Sequence, residues 1–357
     1  TTKSERTRGP AISGFLSTEG GDYVPTCIIA PGSCDSDYPV ALWEFTDSTS
    51  NSNLVTPVDP PVALDEDGNG TADLGETWSV AGIGRIRVCR PGGTLCIPTD
   101  PARDDDLEDV YVAIFGGGMD PESKTAPKRG DWLYIVNVET GRVLYKRQLL
   151  NPSSASGGAA PSQPAAVDTN QDGYLDRIYI GTTGGYMYRV DLTPYGADQK
   201  LPAPEAVGVL DRNGILHDTL RIPAVDSGDP VWVPTLLFNT NFDSNLAGVV
   251  TPSLHPRPIY HRPSVLFAAQ VGNYALAFGT GDREDLWTRT PTDEIFSERF
   301  YVFVDDSDAN SFLGPLPLDE GDFRRIEVGD PNLLADQLIS RPVGKKGWFF
   351  VLTNNER

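Results

Sequence analysis

The chain has 357 residues, with 50 acidic against 29 basic side chains and a net charge of −21. A phosphate backbone is repelled by such a surface, which excludes nucleic acid as a partner and makes cations the natural ones. Thirty-six Gly and 30 Pro punctuate runs rich in Val, Ile, Tyr, Phe and Thr, and stretches of helical period are scarce, so a β-rich, loop-rich chain with a sizeable core is expected.

No apolar run reaches about 18 residues, so no transmembrane helix is expected. The chain opens on TTKSERTRGP, without an initiating Met or a signal peptide, and reads as a mature or cut segment. Four cysteines fall as two copies of one spacing, Cys27 and Cys34 in CIIAPGSC, then Cys89 and Cys96 in CRPGGTLC. A Pro-Gly element inside each pair turns the chain back, so Cys27–Cys34 and Cys89–Cys96 are expected as local disulfides of an exported protein.

Between the two pairs lies DEDGNGTADLGE, residues 65 to 76. A twelve-residue calcium loop takes oxygens from places one, three, five, seven, nine and twelve, and bends sharply at a Gly in place six. Asp65, Asp67, Asn69, the Thr71 carbonyl, Asp73 and Glu76 fill those places, with Gly70 at the bend. The flanking segments are not helical, so this is the loop chemistry without a helix-loop-helix frame. The charge run DDDLED, 104 to 109, reads as a solvated face before a strand.

Strand patterns follow at DVYVAIFGGG (109 to 118), DWLYIVNVETGRVLYKRQL (131 to 149), DRIYIGTTGGYMYRVDL (176 to 192), YALAFGTG (274 to 281) and RFYVFVDD (299 to 306). Each alternates apolar and polar positions and ends on Gly, Asn or Asp. They vary one unit, a strand into a Gly-rich turn and out along an aromatic-x-Val-Asp strand, unevenly spaced as in a degenerate repeat. The expected fold is all-β, a modified β-propeller, complete in this chain or closed by a neighbour, forming one domain over 1–357. Long loop insertions are expected near 47–77 and 193–250, further loops at 97–108 and 151–164, and one helix near 331–340.

The second acidic loop, VDTNQDGYLD, lies just ahead of a strand. Asp168, Asn170, Asp172 and Asp176 take places one, three, five and nine, the Tyr174 carbonyl takes place seven, and Gly173 sits at the bend. Place twelve is Tyr179, which belongs to the strand, so the loop is a shortened one. Ligands in register twice in one chain favour Ca2+ over ordinary Asx turns, and Mg2+, with its tighter octahedron, fits less well. DDSDAN (305 to 310) and DRNGILHD (211 to 218) lack full ligand spacing and read as solvated turns. The tripeptide RGD, Arg129 to Asp131, enters a strand and reads as ordinary polar residues there.

No catalytic constellation emerges. The three histidines, His217, His255 and His261, stand without nucleophile or metal-site spacing, and GxSxG, HExxH, Walker and haem-attachment motifs are absent. The nearest enzyme reading is a quinoprotein-like dehydrogenase, on the likeness of WLYIVNVETGRVLYK to a propeller blade motif, but that motif is structural. Non-enzymatic function is expected.

Taken together, VDTNQDGYLDRIYIGTTGGYMYRVDL and the ordered series ALWEF (41 to 45), LGETWS (74 to 79), YVAIFGGG (111 to 118), WLYIVNVETGRVL (132 to 144), FGTGDRED (278 to 285), FYVFVDD (300 to 306) and GWFFVL (347 to 352) resemble the C-terminal propeller of the PilY family. Those are adhesins and biogenesis factors at the tip of type IV pili. The resemblance implies calcium held by Asp168, Asn170, Asp172, Tyr174 and Asp176, export through the periplasm to the cell surface, and pilus extension, retraction or adhesion tuned by the ion. It also implies minor pilins or other pilus subunits as partners, and a host or surface receptor. The alternative is a calcium-stapled structural subunit of another extracellular filament or sheath.

Overall fold

The structure, a computed structural model, describes residues 16–19, 22–25, 45, 65–76, 78–90, 96, 106–123, 126–138, 141, 143–192, 201–202, 204–210, 216–223, 225–226, 229–240, 257–268, 273–281, 297–305, 317–326 and 345–352. A short hairpin of β1 (Leu16–Glu19) and β2 (Asp22–Pro25) precedes three larger sheets. The first sheet runs β3 (Gly82–Cys89), β4 (Leu107–Gly116), β5 (Trp132–Asn137), β6 (Val143–Gln148), antiparallel and in chain order. The second takes β7 (Ala165–Val167), β8 (Arg177–Gly181) and β9 (Tyr186–Asp191). After the small hairpins β10 (Glu205–Leu210) with β11 (Leu216–Arg221), and β12 (Val225–Asp226) with β13 (Asp229–Pro230), the chain adds β14 (Thr235–Asn239) beside β9. The third sheet has the order β15 (Ser264–Ala268), β16 (Asn273–Gly279), β17 (Arg299–Asp305), β19 (Gly347–Val351), β18 (Phe323–Arg325), and only its last pair is parallel.

The fold is therefore all-β, and the described residues include a short 3-10 turn at Glu320–Asp322. The five strand patterns read from the sequence coincide with β4, β5 with β6, β8 with β9, β16 and β17. Segment 193–250, expected as a loop insertion, is not loop throughout: it carries β10 to β14, and β14 completes the second sheet. Its pattern is hidden because TLLFN carries an apolar run of only three residues, Leu236 to Phe238, too short to show a period. The helix expected near 331–340 lies outside the described residues, as do Cys27 and Cys34.

Side-chain alternation along the strands decides the layering. On β8, Ile178 and Ile180 join Ile86, Val112, Ile114, Leu133 and Ile135 in a core between the first and second sheets. Tyr179, between them in sequence, points the other way and packs with Phe238, Phe278, Tyr301, Phe303 and Phe349 in a core against the third sheet. The middle sheet is thus covered on both faces, which explains why RIYIG is buried at every position. Outside the first sheet, Leu74, Phe115, Trp132, Tyr134, Val136 and Val143 form a third cluster, with Phe45 against Phe115 and Tyr134. Leu74 belongs to the first acidic loop, so burying this outer face fixes that loop on the sheet.

A disulfide joins Cys89, at the end of β3, to Cys96, with Cα atoms 5.2 Å apart. Both residues are fully buried, and the adjoining backbone docks on the segment before β10 through Cys89 N–H to the Pro202 carbonyl and Leu201 N–H to the Cys96 carbonyl, each 2.9 Å.

Candidate metal centres

The two acidic loops share one turn. In the first, the Asp65 carboxylate accepts from Asn69 N–H (3.0 Å) and Gly70 N–H (2.9 Å); in the second, Asp168 accepts from Asp172 N–H (3.2 Å) and Gly173 N–H (2.7 Å). Asn69 Oδ1 accepts from Thr71 N–H as Asp172 Oδ1 does from Tyr174 N–H, each at 2.9 Å. Asp73 Oδ2 takes Glu66 N–H (2.8 Å), and its counterpart Asp176 Oδ2 takes Thr169 N–H (2.7 Å). The bends fall at Gly70 (φ 84°) and Gly173 (φ 91°), a left-handed conformation in which a side chain is strained. Converging amide donors hold each loop with its carboxylates on the inside, the arrangement a hard cation needs.

The first loop gathers its acids more tightly. One carboxylate oxygen each from Asp65, Asp67 and Asp73 lies within 4.8 Å of the others, and this is the one such group of three among the described residues. Asp73 is fully buried, and its Oδ1 has no hydrogen-bond partner. A buried, unpaired carboxylate oxygen is costly unless a cation compensates it, so the donor set fits a divalent ion. Burial pushes the Asp73 carboxyl up to about 6, against the opposing pull of the Lys146 ammonium. Asn69 stays with the acids, its side-chain amide donating to Asp67 Oδ2 (2.9 Å) and to the Lys128 carbonyl (2.7 Å). Thr71 is half-buried within the loop.

Glu76 does not join this group. Its backbone pairs with Met119 in a β-bridge, both hydrogen bonds at 2.8 Å, and its side chain is exposed. Place twelve has already entered sheet pairing with the chain that follows β4, which aims it by strand geometry and not by the loop.

In the second loop Asp168, Asp172 and Asp176 do not form a comparably tight group of three. Asn170 binds Asp172 through its amide at 3.1 Å, and the buried Asp176 also accepts the Thr169 hydroxyl at 2.6 Å. What distinguishes this loop is its position at a junction of three sheets. It follows β7, which neighbours both β3 and β15. Leu175 N–H donates to the Arg85 carbonyl on β3 (2.8 Å), and Gly84 makes room for Leu175, because a Cβ there would come within 2.3 Å of Leu175 Cδ1. The Tyr174 ring lies under Arg85 and Arg87, 4.2 and 4.0 Å from its centroid, and its hydroxyl donates to Asp109 on β4 (2.8 Å). From the third sheet, the Tyr274 hydroxyl donates to the Thr169 carbonyl at 3.0 Å.

Sequence spacing found the loop acids but missed these supporting groups. Lys146 follows three apolar residues in β6, opposite Tyr134, with its Nζ against Asp73; a lysine directly after the apolar run in RVLYKRQL is the available signal. Arg85, Arg87, Asp109 and Tyr274 carry no local signal, since only the sheet packing brings them to the second loop. The RGD aspartate is not displayed: Asp131 is buried and accepts from Gln148 (2.9 Å), while Arg129 pairs with Asp120.

No family model and no curated protein matches the chain. Among solved structures it matches the C-terminal domain of PilY1 from Pseudomonas aeruginosa, at 17% identity and a TM-score of 0.43, over 79% of this chain and 52% of that one. The chain spans about half the length of that structure.

Proposed function

We propose that this chain is a calcium-binding extracellular protein of a type IV pilus tip, acting in pilus biogenesis and adhesion and not as an enzyme. The observation that carries the calcium reading is the Asp65, Asp67, Asp73 group, with a buried carboxylate oxygen lacking any hydrogen-bond partner. Asp65, Asp67, Asn69, Asp73 and the Thr71 carbonyl would hold one ion, and Asp168, Asn170, Asp172, Asp176 and the Tyr174 carbonyl a second. Calcium supplies two positive charges among acids that otherwise repel, in a chain of net charge −21. At the second loop it would fasten the turn through which the three sheets meet.

The Cys89–Cys96 disulfide supports an oxidising, extracytoplasmic location. No helix among the described residues is long and apolar enough to cross a membrane. The pilus reading rests on the ordered sequence fragments that resemble the PilY family. Isothermal titration with calcium tests the ion, and two sites are expected, one lost in Asp67→Ala and the other in Asp172→Ala. Deletion of the gene tests the pilus, with loss of surface pili expected; intact pili would turn the reading toward a calcium-stapled subunit of another filament.

A further inference from the structure

The first loop holds a cation of its own. The Lys146 side chain is 1% exposed, and its Nζ lies 2.5 Å from Asp73 Oδ2 and 3.7 Å from Glu66 Oε2. The ammonium sits over the Trp132 ring, 4.5 Å from its centroid, and 5.8 Å from that of Tyr134. Both rings belong to the apolar cluster beneath the loop, so the lysine stem runs through a dry layer to reach the carboxylate. A charge in such surroundings persists only when paired, and Asp73 is its buried partner.

Asp73 is therefore divided. Its Oδ2 is taken by Lys146 and by Glu66 N–H, while its Oδ1 is buried without a hydrogen-bond partner. Any divalent ion bound by Asp65, Asp67 and Asp73 shares one carboxylate with an ammonium a few ångströms away. Affinity in such loops follows the net charge of the ligand set, and like charges repel strongly where water is thin.

We propose that Lys146 is a built-in counterion of the 65–76 centre: it holds Asp73 in place in the ion-free chain, and its charge weakens the centre's hold on calcium. This rests on the reading of the loop as a calcium site. The lysine makes the centre a low-affinity one, already shaped before the ion arrives and filled only where calcium is abundant, as it is outside cells. Lys146 pairs with Asp73 and Glu66, both of this loop, so its influence falls on this centre, while the second loop is held by Thr169, Tyr174 and Tyr274.

The test uses the Asp172→Ala chain, in which the remaining calcium heat belongs to the 65–76 loop. Adding Lys146→Met removes the charge and keeps an apolar stem over Trp132. Adding Lys146→Gln instead removes the charge and keeps an N–H donor for Asp73. Both are expected to bind calcium about tenfold more tightly, by titration or by competition with a chelator. Lys146→Met is also expected to melt lower than its parent in chelator and to recover in excess calcium, with Lys146→Gln between the two. Should Lys146→Met fold only with calcium present, Lys146→Gln supplies the affinity comparison. Affinities within twofold of the parent, or weaker, overturn the counterion role alone. A parent that binds no calcium at all overturns the calcium reading of this loop, and the counterion role with it.

Discussion

Replacing Asp305 by Ala is expected to cost about 3–5 kcal/mol of stability, a large part of the margin of a typical domain. Asp305 ends β17 in the third sheet and is fully buried. Its carboxylate accepts from Arg189 Nη1 at 2.8 and 3.0 Å and from the Tyr179 hydroxyl at 2.7 Å, with Arg177 Nη1 at 3.8 Å, all from the second sheet. Asp191 pairs with both arginines from the flank, 3.1 Å from Arg177 and 3.0 Å from Arg189, so two guanidinium groups share two carboxylates in a buried layer. Removing Asp305 leaves two buried positive charges with one partly exposed acid between them, and the penalty is the uncompensated charge more than the lost attraction. Asp305→Asn keeps acceptors for Tyr179 but not the charge, and should fall between. The denaturant midpoint at unchanged slope reads this directly; a loss below about 1 kcal/mol would mean that the two sheets are held by their aromatic core alone.

The second large effect is calcium itself. At a calcium concentration one hundred times the dissociation constant, each site adds about 2.7 kcal/mol, so two sites add about 5 kcal/mol. For a chain of this size that corresponds to roughly 7 °C in Tm between excess calcium and chelator. Asp172→Ala is expected to remove about half of that gap, because it takes the place-five ligand from the loop that touches β3, β4 and β16. The same substitution should loosen amide exchange protection of Leu175, whose N–H is donated to Arg85 on the first sheet. Coincident melting curves in calcium and in chelator would leave the loops as hydrogen-bonded turns with no ion to hold.

These effects mark what could be read from residues in order and what could not. RFYVFVD announces itself because alternation along a half-buried strand is a local property, and DVYVAIF, buried at every position from Val112 on, by its run of apolar and aromatic residues. The shared turn of both acidic loops is legible for the same reason: spacing within twelve residues sets which amides the first Asp of each can reach. Glu76 stands apart from the Asp65, Asp67, Asp73 group, and its backbone is committed to pairing with Met119, a partner 43 positions on (119 − 76) that no spacing rule can see. Segment 193–250 was misjudged because β14 owes its strand to pairing with β9, whose fully buried middle gives a short apolar run the partner it lacks alone.

The polar supports were the least legible part. Arg177 and Arg189 look like ordinary exposed charges in RIYIG and YMYRVD, yet both are buried because Asp305, more than a hundred residues later (305 − 189 = 116), faces them across two sheets. Tyr274, paired with Asp305 across β16 and β17, reaches the second loop from the same junction. The second acidic loop and the charge network therefore meet at one seam, between the second and third sheets, while the first loop covers the outer face of the first sheet.

The account stands most directly on where calcium goes. Crystals grown in millimolar calcium, with diffraction collected at a wavelength where calcium scatters anomalously, should show one anomalous peak among Asp65, Asp67 and Asp73 and one among Asp168, Asp172 and Asp176. Maps without a peak in either loop, at a resolution that shows the surrounding side chains, would contradict the account.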